Sequence, residues 1–148
     1  MSSKIPAILD ALAARLATVP GVTSVYRALE GAPLPAEDAG DLPAIYLRLL
    51  SDTVEDTQAG KAKIANQIAA ELFFVPSDNE PIDNQAVAWA WQIRHALNIA
   101  DPRALSASLR DNPGIGIEIQ SASYHYPQQP SEIASVRQPL VLRCIENY

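Results

Sequence analysis

Between Ile5 and Val19 the apolar residues Ile5, Ile8, Leu9, Leu12, Leu16 and Val19 recur at steps of three and four, which lines one face of a helix. Ser3 stands where a cap belongs, Pro6 falls in the first turn and Pro20-Gly21 supplies a stop. The pattern predicts a helix over residues 4–19 with one stripe to be covered. Residues 23–27 are short and β-prone, and residues 28–42, with two Gly, two Pro and the four acids Glu30, Glu37, Asp38 and Asp41, read as an irregular loop. Residues 43–50 then set Ile45, Leu47 and Leu49 against Tyr46 and Arg48, the period of a strand with one dry face. The polar stretch 51–62, containing Gly60, is expected to be a long hairpin connection. In residues 63–75, Ile64, Ile68, Ala70, Leu72 and Phe74 share one side while Gln67, Glu71 and Phe73 face the other. Ala65, Ile68, Ala69 and Leu72 also fit a helical period, but the ending Leu72-Phe73-Phe74-Val75 favours a strand.

Residues 76–83 break the chain, and Asp83 is a suitable cap for a helix reaching to about Ala100. Ala86, Trp89, Ala90, Ile93, Ala96, Leu97 and Ala100 fall on one face, and Val87, Trp91, His95 and Asn98 on the other, a set too apolar to meet only water. After a Pro-containing loop, residues 115–123 alternate Ile115, Ile117 and Ile119 against Glu118 and Gln120. Residues 127–130 link to a last strand, 135–145, in which Val136, Leu140, Leu142 and Cys144 alternate with Arg137, Val141 and Arg143. Pro139 has no N–H for a ladder, so it implies an edge or a bulge there. The order is α-β-β-β-α-β-β. Two amphipathic helices and a mostly antiparallel sheet bury each other's apolar faces as a two-layer α+β fold, expected to be a single domain over residues 1–148.

Composition narrows the functions. With 148 residues and 48% hydrophobic content, size scaling gives a folded surface of roughly 7,400 Å² against roughly 23,000 Å² for the open chain, enough burial for one core. One cysteine, Cys144, excludes an intramolecular disulfide framework and a Cys-based zinc site. No apolar run approaches a membrane span, no secretory signal is evident, and a reducing cytoplasm is the expected place of synthesis. A net charge of −6 with scattered basic residues opposes gripping a nucleic acid backbone but suits a surface that DNA merely passes.

Candidate chemistry is sparse. Gly114 and Gly116 open a strand, where a phosphate loop would open a helix. The only histidines, His95 and His125, have no nucleophile and orienting acid at an informative spacing. The acids Glu37, Asp38 and Asp41, and again Asp52, Glu55 and Asp56, lack a Gly-punctuated calcium loop and read as solvated loops. No catalytic, cofactor or metal residue is assigned. Binding is better supported: Asp52, Glu55 and Asp56 followed by Lys61 and Lys63 put opposite charges on one projecting hairpin, which suits head-to-tail contacts between copies. Trp91, Tyr124 and Tyr126, with Tyr148, are of the type enriched at interface cores.

In element order and size the whole chain resembles the tail terminator proteins of long-tailed bacteriophages, the minor tail protein U type. The resemblance rests on Ile5-Pro6-Ala7-Ile8-Leu9-Asp10-Ala11-Leu12, Pro20-Gly21-Val22 leading to Val25-Tyr26-Arg27, and Leu42-Pro43-Ala44-Ile45-Tyr46-Leu47. It continues through a polar hairpin, Glu71-Leu72-Phe73-Phe74-Val75, the second helix and the ending Leu140-Val141-Leu142-Arg143. It implies a structural virion protein of the tail or neck: a ring, usually hexameric, that caps the tail tube, stops its polymerisation and offers the docking surface for head or neck, while DNA passes the lumen without specific binding. The partners so implied are further copies of the chain, the tube protein and head–neck connector proteins, with no membrane and no cofactor. The hairpin Asp52, Glu55, Asp56, Lys61, Lys63 and the helix face Val87, Trp91, His95 are the expected complementary patches, with Tyr124 and Tyr126 as further interface candidates. A head–tail connector or neck completion protein is the nearest alternative. A small metal-dependent enzyme using the acidic loops, or a ligand-binding domain with a pocket beneath the second helix, stands further off.

Overall fold

The computed structural model describes residues 3–27, 42–97, 116–128 and 133–147. The chain runs α1 (Ile5–Leu16), β1 (Ser24–Arg27), β2 (Ala44–Gln58), β3 (Lys61–Phe74), α2 (Ile82–Leu97), β4 (Gly116–Ile119), β5 (Ser123–His125) and β6 (Ala134–Asn147). The sheet order is β1-β2-β3-β6-β4, with β5 also against β6. Only the β1–β2 pair is parallel. Both helices cover one face, α1 over β1 and β2 and α2 over β6. This is the expected two-layer α+β fold, with β5 as an additional strand.

The apolar stripe of α1 forms as its spacing requires: Ile5, Ile8, Leu9, Leu12 and Leu16 are buried. The sequence places Ser3 as its cap, but Lys4 holds that position, and Ser3 Oγ accepts from the Ile5 N–H at 3.1 Å while donating to Glu146 Oε1 at 2.7 Å. Glu146 also accepts from the Lys4 N–H at 3.1 Å. A carboxylate from the far end of the chain thus sits at the positive end of α1, where backbone N–H groups lack helical partners. The helix ends at Leu16, short of residue 19, and Gly21 follows with φ +85. A Cβ there would lie 3.3 Å from the Trp89 ring, so that turn needs glycine for its backbone and for its space. At the other end, Arg15 Nε donates to the Ala96 carbonyl at 2.7 Å, tying α1 to the last turn of α2.

On β3 and β6 the alternation predicts the burial. Ile64, Ile68, Ala70, Leu72 and Phe74 meet Val136, Leu140, Leu142 and Cys144 beneath the helices, each 9% exposed or less. The outer face is drier than its sequence suggests, since Tyr46, Ala69 and Val141 are also buried. Four expectations need correction. Residues 51–62 are not a loop: β2 and β3 pair up to Gln58 and Lys61, joined by Ala59 (φ 37) and Gly60 (φ 81). Two positive φ values make the tight turn whose twist matches the flanking strands. The long ladder of backbone hydrogen bonds, with its β-branched Thr53, Val54 and Thr57, outweighs the polar composition that suggested a loop. Leu49, placed on the dry face by its alternation, is 42% exposed, and among the described residues β1 pairs no further along β2 than Leu47. Asp83 lies within the first turn of α2, which begins at Ile82. Pro139 lies on an interior strand: β4 pairs with β6 as far as Leu140 and β5 begins at Arg137, so the proline stands in the gap between two partners. Asn98, Ala100, Gly114 and Glu37, Asp38 and Asp41 lie outside the described residues, as does Tyr148.

Candidate interaction surface

Beyond Leu47, no described strand runs beside β2 on the side away from β3, and every residue from Leu49 to Gln58 is exposed. Two bulges shape this half of the strand. Leu50 and Glu55 are the extra residues where the register shifts between Leu49 and Ser51 and between Val54 and Asp56. A bulge twists an edge and re-aims side chains. The second one turns Glu55 to the outer face, where Arg143 of β6 spans the small Ala65 of β3 to reach it. Arg143 Nε lies 3.1 Å from Glu55 Oε1, and Nη1 lies 3.0 Å from Glu118 Oε2. One guanidinium so joins β2, β6 and β4. The hydrogen bond to Glu118, then the charge of Glu55, pushes the already high pKa of Arg143 further up.

The charged candidates share a hairpin without converging. Asp52 faces the helix side of the sheet, Glu55 is drawn to Arg143, and Asp56 stands opposite Lys63 on the outer side. Lys61 pairs with Gln58 beside the turn, and with Asp56 and Lys63 it lines a small surface cavity of about 180 Å³. Among the described residues no three His, Cys, Asp or Glu side chains are grouped to hold a metal ion. No helix among them is long and apolar enough to cross a membrane.

A larger groove of about 620 Å³ runs between α1 and the exposed half of β2. Ile5, Pro6, Leu9, Leu47 and Leu49 make it apolar, and Arg27, Asp52 and Asn66 supply polar groups. Asn66 is 1% exposed; its Nδ2 donates to the Leu142 carbonyl at 3.1 Å and approaches Cys144 Sγ at 3.8 Å, while its Oδ1 accepts no hydrogen bond. Arg27 is held by Asp10 at 2.7 Å. Neither this groove nor the smaller cavity lies beneath α2, the place expected for a ligand pocket.

The aromatic candidates form two stacked pairs. Trp91, 58% exposed, lies parallel to His95 with centroids 5.0 Å apart, and Val87 beside them is 54% exposed. They occupy the side of α2 opposite Ala86, Ala90, Ile93 and Leu97, all of which are buried. Tyr124 and Tyr126 stack at 6.3 Å where β5 leaves β6. Tyr124 also packs on the core, whereas Tyr126 is 41% exposed. Sequence reasoning found the α2 face because apolar residues stood on its wrong side. It missed Leu49, Leu50 and Val54 as exposed apolar groups, the Arg143 network, and the groove with Asn66. The β-branched run Thr53-Val54 before Ala59-Gly60 was the one local signal of a strand there.

No family model matches the sequence, and no curated protein matches it. Among solved structures, the chain is similar to one from a structure titled "Virion of native gene transfer agent (GTA) particle", with a TM-score of 0.50 and 12% identity, covering 99% of this chain and 100% of that one. At that identity the likeness shows the fold alone.

Proposed function

We propose that this chain is a structural subunit of a virion or virion-like particle, and that copies of it close into a ring on the end of a tail tube. There it stops tube growth and offers the surface on which a head or neck docks. The observation that carries this reading is the end-to-end likeness to a chain of a gene transfer agent virion. The surface supports it: a bare α2 face with Trp91 at its centre and an exposed strand edge on β2 are two different patches. Two different patches repeated by rotation close a ring. The net charge of −6 suits a lumen that lets DNA slide past. The reading is non-enzymatic, with no cofactor, and its partners are copies of the chain, tube protein and head–neck connectors in a tail or neck assembled in the cytoplasm of a bacterial host. A neck completion protein would share the ring and differ in its partner.

Native mass measurement, alone and with tube protein, tests it. Rings that bind tube ends and halt their growth support the terminator, rings that bind only connector proteins support the neck protein, and a monomer under all these conditions overturns both. Trp91→Ala should keep its far-ultraviolet dichroism and melting temperature while weakening subunit association by about 30-fold or more, because interface energy concentrates in buried aromatic anchors.

A further inference from the structure

We propose that the edge of β2 beyond Leu47, unpaired among the described residues, accepts a strand, and that the strand is β4 of a second copy of this chain, so that the sheet continues from one copy to the next. The proposal rests on the ring reading above and adds a strand-to-strand contact to the α2 face named there.

Register shows that the two edges are level. Gly116 pairs with Arg143, Arg143 with Ala65 and Ala65 with Thr53; Ile119 pairs with Leu140, Leu140 with Ile68 and Ile68 with Leu49. Leu49, Ser51, Asp52 and Thr53, with Leu50 bulged between the first two, and Gly116–Ile119 therefore end the same rungs on opposite sides of the sheet. β2 and β4 run in opposite directions, since three antiparallel steps separate them. Copies related by rotation about an axis along the strands would thus pair β2 with a neighbour's β4 in the antiparallel sense. No described strand pairs with the far side of β4.

Charge selects this pairing over its rival. Two β2 edges joined about a twofold axis would bring Asp52, Glu55 and Asp56 against the same acids, which repel. β4 has a single acid, Glu118, already held by Arg143. The faces also match: Ile117 and Ile119 project on the helix side, the side on which the apolar groove borders Leu49. On the outer side, the in-line register sets the neighbour's exposed Gln120 level with Arg48, whose Nε is buried without a hydrogen-bond partner.

The test is the double variant Thr53→Cys with Gly116→Cys in the full chain. Both positions lie on the outer face, and a Cβ at Gly116 meets nothing within 4 Å. Oxidation of the assembled variant should give a ladder of covalent multiples of the 16.0 kDa chain, and either single variant no ladder beyond a dimer. Amide hydrogen exchange should show the outward amides of residues 49–53 fast in the monomer and at least 10-fold slower in the assembly. Rings that form normally, with no ladder and unchanged exchange over 49–53, overturn the strand pairing and leave the ring reading standing. A chain that stays monomeric even with tube protein overturns both. Slowed exchange at 49–53 only when a different protein binds overturns the second copy as the occupant.

Discussion

Two rungs of one sheet show how differently the same ladder can be used. Ile45, Leu72 and Val136 are each 0% exposed, whereas Val54, Ile64 and Cys144 on the next stretch of the same strands are 53%, 9% and 0% exposed. The first rung has β1 beside it and both helices above. The second is covered only toward β6, where the start of α1 and Glu146 lie, and opens to solvent at β2. Hydrogen bonding runs unbroken through both, apart from the bulges. The backbone ladder therefore decides where the strand continues, while the neighbouring elements decide where it is a core. An extended, uncovered strand is a liability for a solitary protein, and the acids on β2 oppose its pairing with another β2.

The largest expected effect marks the contrast between the two rungs. Leu72→Ala removes a fully buried side chain and should cost about 2–5 kcal/mol by denaturant titration, since the cavity adds to the lost transfer energy. Val54→Ala, on the same hairpin, should fall within about 0.5 kcal/mol of the parent, as exposed substitutions do. Comparable losses at both positions would mean that the outer half of β2 is packed in solution and that the rungs do not differ as described.

A smaller effect is expected at the tip. Gly60 has φ +81, so Gly60→Ala places a Cβ in the left-handed region at a cost of about 1–2 kcal/mol. The loss should appear as faster exchange of amides near residues 57–63 before any change near Leu72. A uniform change along the hairpin would show that its two halves fold as one unit.

The same contrast explains what was legible in the sequence. The stripes of α1, α2, β3 and β6 are set by burial, so their periods could be read directly. The outer half of β2 is set by pairing alone, and Ser51, Asp52, Glu55 and Asp56 carry the composition of a loop. Pro139 suggested an edge because sequence cannot show that two short strands divide one side of β6. At the candidate surface, Val87 and Trp91 were legible because they stand as large apolar residues on the helix side away from the core. Glu55 was legible only as a charge; its contact with Arg143 depends on a bulge, which leaves no periodic trace.

Cys144 supplies the finest measure of the gradient, because its rung is the one that runs from solvent to core. Burial, then the nearby Glu146 charge, pushes its thiol pKa up from the ordinary 9.0, against a smaller opposing effect of the Asn66 hydrogen bond. A raised pKa in the folded state means that the native protein keeps a proton which the unfolded chain releases, so unfolding sheds protons and is favoured as pH rises. This thiol's contribution to stability is complete below about pH 9 and is lost as pH rises through the folded-state value. Cys144→Ala should therefore flatten the fall of melting temperature above pH 9 and leave its slope near neutrality unchanged. In the native parent, a thiol reagent at pH 8 should react only as fast as the chain opens. Rapid labelling without unfolding would show that the β6 end of this rung is as open as its β2 end.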